Sequence, residues 1–509
     1  MKTTVKLFAI LVSVSAYVSA RGDNGTFSNA SGGAWSEPSN WADGVIAGGS
    51  GSTAALSAEL SSDATVAIAD ATTNTIGSLN AVNTGNPARK WTVSGTGAAL
   101  RFDKGESNES VINVATGTVL ELTGIDDAND VVKTGPGTLR LAPAEVGAFK
   151  TNSLVIREGT NYFTTGNYNY AKVTLDSSDG RNPVLRVNNA EQKSNGLIVS
   201  VPAGTGNPVF IQEANGKSYA HSIALERMLE VQIPANNANM GSFTGTGGIR
   251  KTGSGTLVFG SAPTFTGDIV ISEGVVSCGS CFWNTSANIA VTIGDEFSSP
   301  SSALRWSFSE KGSLPQASTS FHVTQYGGPV TFSWSKNQTG STCASNFQLD
   351  RDVTFNANFN SGANTFAGVF SGTGGIAFTG TANTRIFVLT GANTYAGGTS
   401  IDSVSVKVGG ESALGTGDVS VGSTGIITYN AKLESAINDK AKLRVATGAV
   451  IDFGSYAVSE KVGALYLDGT MQSSGVWGAI GSGCEHEAAF ITGSGVIRVG
   501  GPGFSVIIR

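Results

Sequence analysis

Residues 244–271 read TGTGGIRKTGSGTLVFGSAPTFTGDIVI, and residues 371–401 read SGTGGIAFTGTANTRIFVLTGANTYAGGTSI. Both pass from a G-T-G-G-I turn into a strand pattern, through a second strand to an aromatic, then past a glycine into a third strand. The openings lie 127 residues apart, whereas Phe265 and Tyr395, like Gly267 and Gly397, lie 130 apart. The three extra residues belong in a turn. In GTLVF and DIVIS the apolar residues alternate with polar ones, the period of a half-buried strand. A unit this short cannot bury its apolar face alone, so direct repetition implies stacking.

Weaker copies extend the pattern. KTGPGTLRLAP at 133–143 echoes KTGSGTLVFGS at 251–261, SLVIREGTNYFTTG at 153–166 echoes DIVISEGVVSCGSC at 268–281, and ITGSGVIRVG closes the series at 491–500. Coiling the chain so that each strand pairs in parallel with the next rung satisfies the backbone and leaves edges only at the ends. The expected fold is all-β: a right-handed parallel β-helix with capping β-structure at both ends. Rungs of about 20–25 residues give on the order of 20 rungs and a rod approaching ~100 Å at ~4.8 Å per rung. A string of β-sandwiches is the competing architecture. AKLESAINDKAKLRV, from Ala431, is the one stretch that reads as a helix, and it lies between two strand patterns.

Composition agrees. Only 14% of the 509 residues are charged, against about 25% in an ordinary globular chain, while glycine reaches 68 and proline 13. β-Branched residues suit pleated surfaces, and Gly and Asn tolerate positive φ in turns. A net charge of −6 without a basic stripe excludes a nucleic-acid footprint. Residues 1–20, MKTTVKLFAILVSVSAYVSA, carry Lys2 and Lys6, an apolar run and a small-residue cleavage site, as a signal peptide cut near Ala20 does. No later segment has the ~18 consecutive apolar residues of a spanning helix. The expected division is 1–20 signal peptide, 21–130 N-terminal cap and first rungs, 131–458 repeat solenoid, and 459–509 closing unit.

LTGANTYAGGTSI at 389–401, followed by VKVGGESALGTGDVSV at 406–421, resembles the autotransporter-associated β-strand repeat. GGAWSEPSNWADG at 32–44 and the segment from Gly463 to Val499 resemble the opening and closing units of such proteins. The resemblance implies a passenger-type parallel β-helix outside a Gram-negative-type bacterium, and it implies no reaction. Too little sequence follows Val499 for a C-terminal outer-membrane barrel, so export by signal peptide is the expectation.

The cysteine pair in GVVSCGSCFWNT, 274–285, approaches a papain-type signature. The histidines that follow, His322 and His486, are wrongly spaced, no helix follows for a redox motif, and no second ligand pair completes a zinc site. The repeat alignment places Cys278 on Val408 and Cys281 on Glu411, at a strand end and turn. Oxidising surroundings then make Cys278, Cys281 and Cys343 disulfide candidates. Asp126, Asp127 and Asp130 in GIDDANDVV read as one acidic turn with weak calcium potential. His486 lies between Glu485 and Glu487 in a closing loop. Arg21-Gly22-Asp23 and the sequons at Asn24, Asn29, Asn108, Asn284 and Asn337 are short matches without further support. Trp306 and Trp334, with Phe308, Phe321 and Phe332, are the local aromatic enrichment, a sugar-binding platform if exposed and a core stack if not.

These readings give an exported, non-catalytic, elongated solenoid without cofactor, adhesin-like or structural at the cell surface or in the extracellular matrix, with surface polysaccharide or cell-surface proteins as partners. A carbohydrate-active β-helix, either a polysaccharide lyase or hydrolase or a glycan-binding module, is the alternative.

Overall fold

The computed structural model describes residues 22–69, 72–85, 88–95, 100–105, 109–127, 130–142, 149–150, 153–164, 172–188, 197–213, 218–259, 264–278, 288–308, 319–334, 340–359 and 361–500. The expected signal peptide and Arg21 lie outside them. Among the described residues there is no α-helix; strands alternate with short turns, and two 3-10 turns occur at Pro38–Asn40 and Ala42–Gly44. The stretch from Ala431 is irregular until the strand Lys442–Val445.

The chain coils through three faces. The strands Ser78–Asn83, Arg89–Ser94 and Leu100–Phe102 form one turn, and Ser110–Val114 returns to pair in parallel with Ser78–Asn83. One face is a 15-stranded parallel sheet from Gly33–Ala34 to Phe370–Gly372. The other two join into a 21-stranded sheet, because the long strands Ser218–Leu225 and Asn237–Gly245 run round a corner. In the second of these, Ser242 pairs with Ser222 on one face while Asn237 pairs with Thr256 on the next. A 7-stranded sheet, from Thr342–Cys343 to Ile491–Thr492, takes up the face of Ser222 and Ser242 and runs beside the last strands of the 15-stranded sheet. Parallel pairing without helices over the sheets is possible because each sheet buries one side in the bore and turns a Thr/Ser/Asn-rich side to water.

The repeated module is rotated between copies. Val131–Thr134 and Ile249–Thr252 lie in the 21- and 15-stranded sheets, and Ile376–Gly380 in the 21-stranded sheet on a different face. The strand that follows each lies in the 15-stranded sheet (Thr138–Leu141), the 21-stranded sheet (Thr256–Phe259) and the 7-stranded sheet (Arg385–Leu389). Thus Cys278 and Val408 share a place in the module but not a face.

Stacked rungs put equivalent side chains directly above one another, close to the ~4.8 Å strand spacing. In the bore Phe321, Phe347 and Phe370 occupy one register, their rings 4.7 Å apart at both steps. Phe332 and Phe355 stack at 4.9 Å and Phe308 and Trp334 at 4.6 Å. Such pairs add about 0.5–1.5 kcal/mol each beyond their burial. Glycine is required where rungs touch at corners: a Cβ on Gly397 would lie 2.2 Å from the Gly375 nitrogen.

Both ends are closed. Antiparallel bridges Asp23–Gly48 and Phe27–Trp41 fold the N-terminal segment over the first rung, with Trp35 and Trp41 buried beneath. At the other end Thr470–Met471 turns back antiparallel on Ala464–Leu467. Ser459–Val462, Gly475–Gly478, His486–Glu487 and Val496–Val499 form a separate 4-stranded sheet over the last rungs.

Candidate functional site

Strand pairing and alternation place the candidate residues. Trp306 and Trp334 are 0% and 1% exposed; strand alternation points both into the bore, where Phe308 and Phe355 pack on Trp334, so neither is a sugar platform. Cys343 is a free thiol with no exposure. It sits in a strand paired with Thr365 and Phe366, and burial pushes its thiol up to about 12. Cys281, and the side chain of Cys278, lie outside the described residues. Asp126 and Asp127 belong to a strand, Ile125–Asp127, laddered between Leu100–Phe102 and Phe149–Lys150, rather than to a turn shared with Asp130. No group of three or more His, Cys, Asp or Glu among the described residues is placed to hold a metal ion.

The buried titratable groups hold rungs together. Lys133 and Lys251, both fully buried, open the two K-T-G-x-G turns. Lys251 Nζ donates to the carbonyls of Thr252 (2.8 Å), Gly253 (2.6 Å) and, one rung on, Glu273 (3.2 Å). Lys133 repeats this with Thr134 (2.8 Å), Gly135 (2.6 Å) and Glu158 (3.0 Å). Gly135 and Gly253 adopt φ of 74° and 75°, the left-handed conformation that aims their carbonyls at the ammonium. Burial pulls both amines down to about 7, the nearby Glu158 and Glu273 resisting. Three carbonyls matched to three N–H donors favour the ammonium. The K-T-G echo was visible in the sequence; its chemistry was not.

His221 is buried, and its Nδ1 accepts from the Leu197 N–H at 3.0 Å; burial lowers it to about 4. Glu460 is buried in the closing unit and accepts from Tyr429 Oη (2.6 Å) and the N–H groups of Ala436 (3.0 Å) and Ile437 (3.1 Å). Burial raises it to about 7 against these donors. The repeat motif's Asn393 bridges rungs too, accepting from Phe370 N and donating to Ala413 O. His322 pairs with Asp350 at 2.7 Å, and His486 stacks on Trp477.

One solvent-facing corner lies between the 15- and 21-stranded sheets. Its successive turns are 294–303, 324–329, 350–352, 373–375, 396–398 and 416–418. The last four are short, the final three each with glycine, and they leave a trough of about 470 Å³ that Asp352, Thr354, Ala377, Gly397, Ser400 and Asp418 help to line. Asp352 accepts from Gly375 N at 2.7 Å. Asp418 is partly desolvated, but the Lys442 N–H and the Arg444 guanidinium outweigh this and hold it below the usual carboxylate range. The first two turns are longer, and the second, through Pro329, forms the head of the trough. They carry Phe297, 66% exposed, and Tyr326, 45% exposed.

These turns are ordered by their own bonds. Asp295 accepts from Phe297 N (3.2 Å), Ser298 Oγ (3.0 Å) and Ser272 Oγ (2.7 Å). Arg250 lies 4.9 Å from the centre of the Phe297 ring. Thr324 Oγ1 donates to Gly294 O at 2.9 Å and accepts from Tyr326 N at 3.2 Å, tying the two turns together. Arg351 Nη1 donates to the carbonyls of Gly327 and Gly328. Neither aromatic was singled out from sequence, since exposure here depends on turn length rather than on residue type.

The fold and these inter-rung ties define an all-β repeat solenoid with polar outer faces and corners. Two segments, residues 249–277 and 383–403, match the model of the passenger-associated-transport-repeat, and with the solenoid they fit an autotransporter passenger-type β-helix repeat protein. Repeats of this kind point to an extracellular or surface protein. No curated protein matches the chain, and no solved structure does. Among the described residues no helix is long and apolar enough to cross a membrane.

Proposed function

We propose that the protein is an exported, non-catalytic rod that acts at the cell surface or in the extracellular matrix as an adhesin-like or structural element. The observation that carries this reading is the continuous parallel ladder, closed at both ends, whose buried ionisable groups are spent on joining rungs. A stiff ladder holds the same polar surface at a fixed distance over many rungs, so weak contacts along it add by multivalency. The signal-like residues 1–20 supply the route out, with cleavage near Ala20.

Fractionation of expressing cells, with N-terminal sequencing of the mature chain, tests the location. Recovery from the surface or the medium, starting near Arg21, is expected; retention inside the cell contradicts it. Loss of cell–cell or cell–surface attachment on deletion of the gene is the expected functional result.

A further inference from the structure

We propose that the corner bearing Phe297, Tyr326 and the adjoining trough binds an uncharged polysaccharide chain lying along the solenoid axis. This deepens the adhesin-like reading and rests on it.

Two independent features coincide here. The first is the trough, about 470 Å³ in volume, within the range of ligand sites. It crosses the rungs of Val330–Trp334, Val353–Ala357, Ile376–Gly380, Thr399–Asp402 and Val419–Val421, so it is about 19 Å long at ~4.8 Å per rung. That shape takes an extended chain rather than a compact molecule. The second is the aromatic pair at its head. A Cβ on Gly294 would lie 2.2 Å from the Tyr326 carbonyl oxygen, so the two turns are pressed together, each offering a ring to solvent. The bonds that order these turns hold both rings outward, where a ligand can reach them.

The lining chooses the class of ligand. Thr354, Ser400 and Ser420 offer hydroxyls, and Asp352 and Asp418 offer carboxylate oxygens, all of which suit the hydroxyl groups of a sugar. The neighbouring cations are engaged: Arg444 on Asp418, Arg351 on two turn carbonyls, and Arg250 on the Phe297 ring and near Asp295. An acidic polysaccharide would meet two carboxylates with no free cation lining the trough, so a neutral chain is favoured. A protein partner needs about 800 Å² of surface with an apolar core, whereas the apolar part of this corner is two rings. One sugar ring stacks on the aromatics and the next units follow the trough.

The test is affinity electrophoresis of the mature secreted protein in native gels containing soluble starch, xyloglucan, galactomannan or mixed-linkage β-glucan, with polygalacturonate as the acidic control. Retardation by at least one neutral polymer is expected. Tyr326→Ala and Phe297→Ala each weaken it about tenfold, the loss of roughly one stacking contact, and Ala377→Arg, which fills the trough floor, weakens it at least as much. All three positions face solvent, and an unchanged circular dichroism spectrum shows that the variants fold. No retardation in any neutral gel, equal retardation of variants and wild type, or stronger retardation by polygalacturonate would overturn the proposal. So would attachment to protein-coated surfaces alone that the same variants abolish. In each case a protein still recovered outside the cell leaves the rod reading standing, whereas retention inside the cell removes both.

Discussion

The buried lysines carry a quantitative prediction. Lys251→Met keeps the volume of the side chain and removes the ammonium that ties Thr252, Gly253 and Glu273. Three bonds from a charged donor contribute about 1.5–3 kcal/mol each, or about 4–9 kcal/mol before the cost of burying the charge. Burial takes the amine from 10.5 to about 7, a penalty of about 5 kcal/mol at neutral pH. The difference leaves about 2 kcal/mol in favour of lysine. In a stacked repeat the loss is felt locally, in the rungs of Ile249–Thr252 and Gly274–Cys278, before it reaches the ends. Hydrogen exchange of peptides from this segment therefore reports it best, as protection falling by about thirtyfold. Peptides from the 442–467 rungs stay unchanged. The third module has Phe378 where Lys251 stands, and its turn is three residues longer. If Lys251→Met leaves exchange unchanged or slows it, lysine is only a filler like Phe378, and the account of these turns is wrong.

Two buried groups give opposite pH slopes in different parts of the rod. His221 falls from 6.5 to about 4. Between these values the unfolded chain binds more protons, so the 197–225 segment gains up to about 3 kcal/mol as pH rises. Glu460 rises from 4.5 to about 7. There the native state binds more protons, and the closing unit loses about 3 kcal/mol as pH rises through that window. Hydrogen exchange at pH 4.5 and 7 reads both slopes; Glu460→Gln flattens only the second, and a slope that survives this change counts against the assignment. Cys343 is fully buried and free, so a thiol reagent labels it only after denaturation. Labelling of the native protein at Cys343 contradicts its place in the bore.

How much the sequence disclosed differs by feature. The solenoid was legible because GTLVF and DIVIS carry both strand period and direct repetition, signals that depend only on local order. The rotation of the module among faces was not, since loop lengths such as the three-residue difference before Leu389 shift phase without altering the motif. Trp306 and Trp334 were read from type and clustering; alternation within Leu304–Phe308 and Val330–Trp334 decides that they point inward. Phe297 and Tyr326 looked like ordinary loop residues, because nothing local says that their turns protrude while those at 373–375 and 396–398 stay flat. The acidic run at 126–130 looked like a turn from composition, yet pairing to the rungs on both sides makes Ile125–Asp127 a strand.

The claim on which the rest depends is the long parallel ladder. The 15-stranded sheet alone spans about 70 Å, and the 21-stranded sheet extends it towards about 95 Å. Small-angle X-ray scattering of the mature protein measures this directly. The ladder predicts a maximum dimension of about 90–100 Å with a rod-like profile. A compact particle with a radius of gyration of about 23 Å and a maximum dimension of about 60 Å, as expected for a globule of this length, would contradict it.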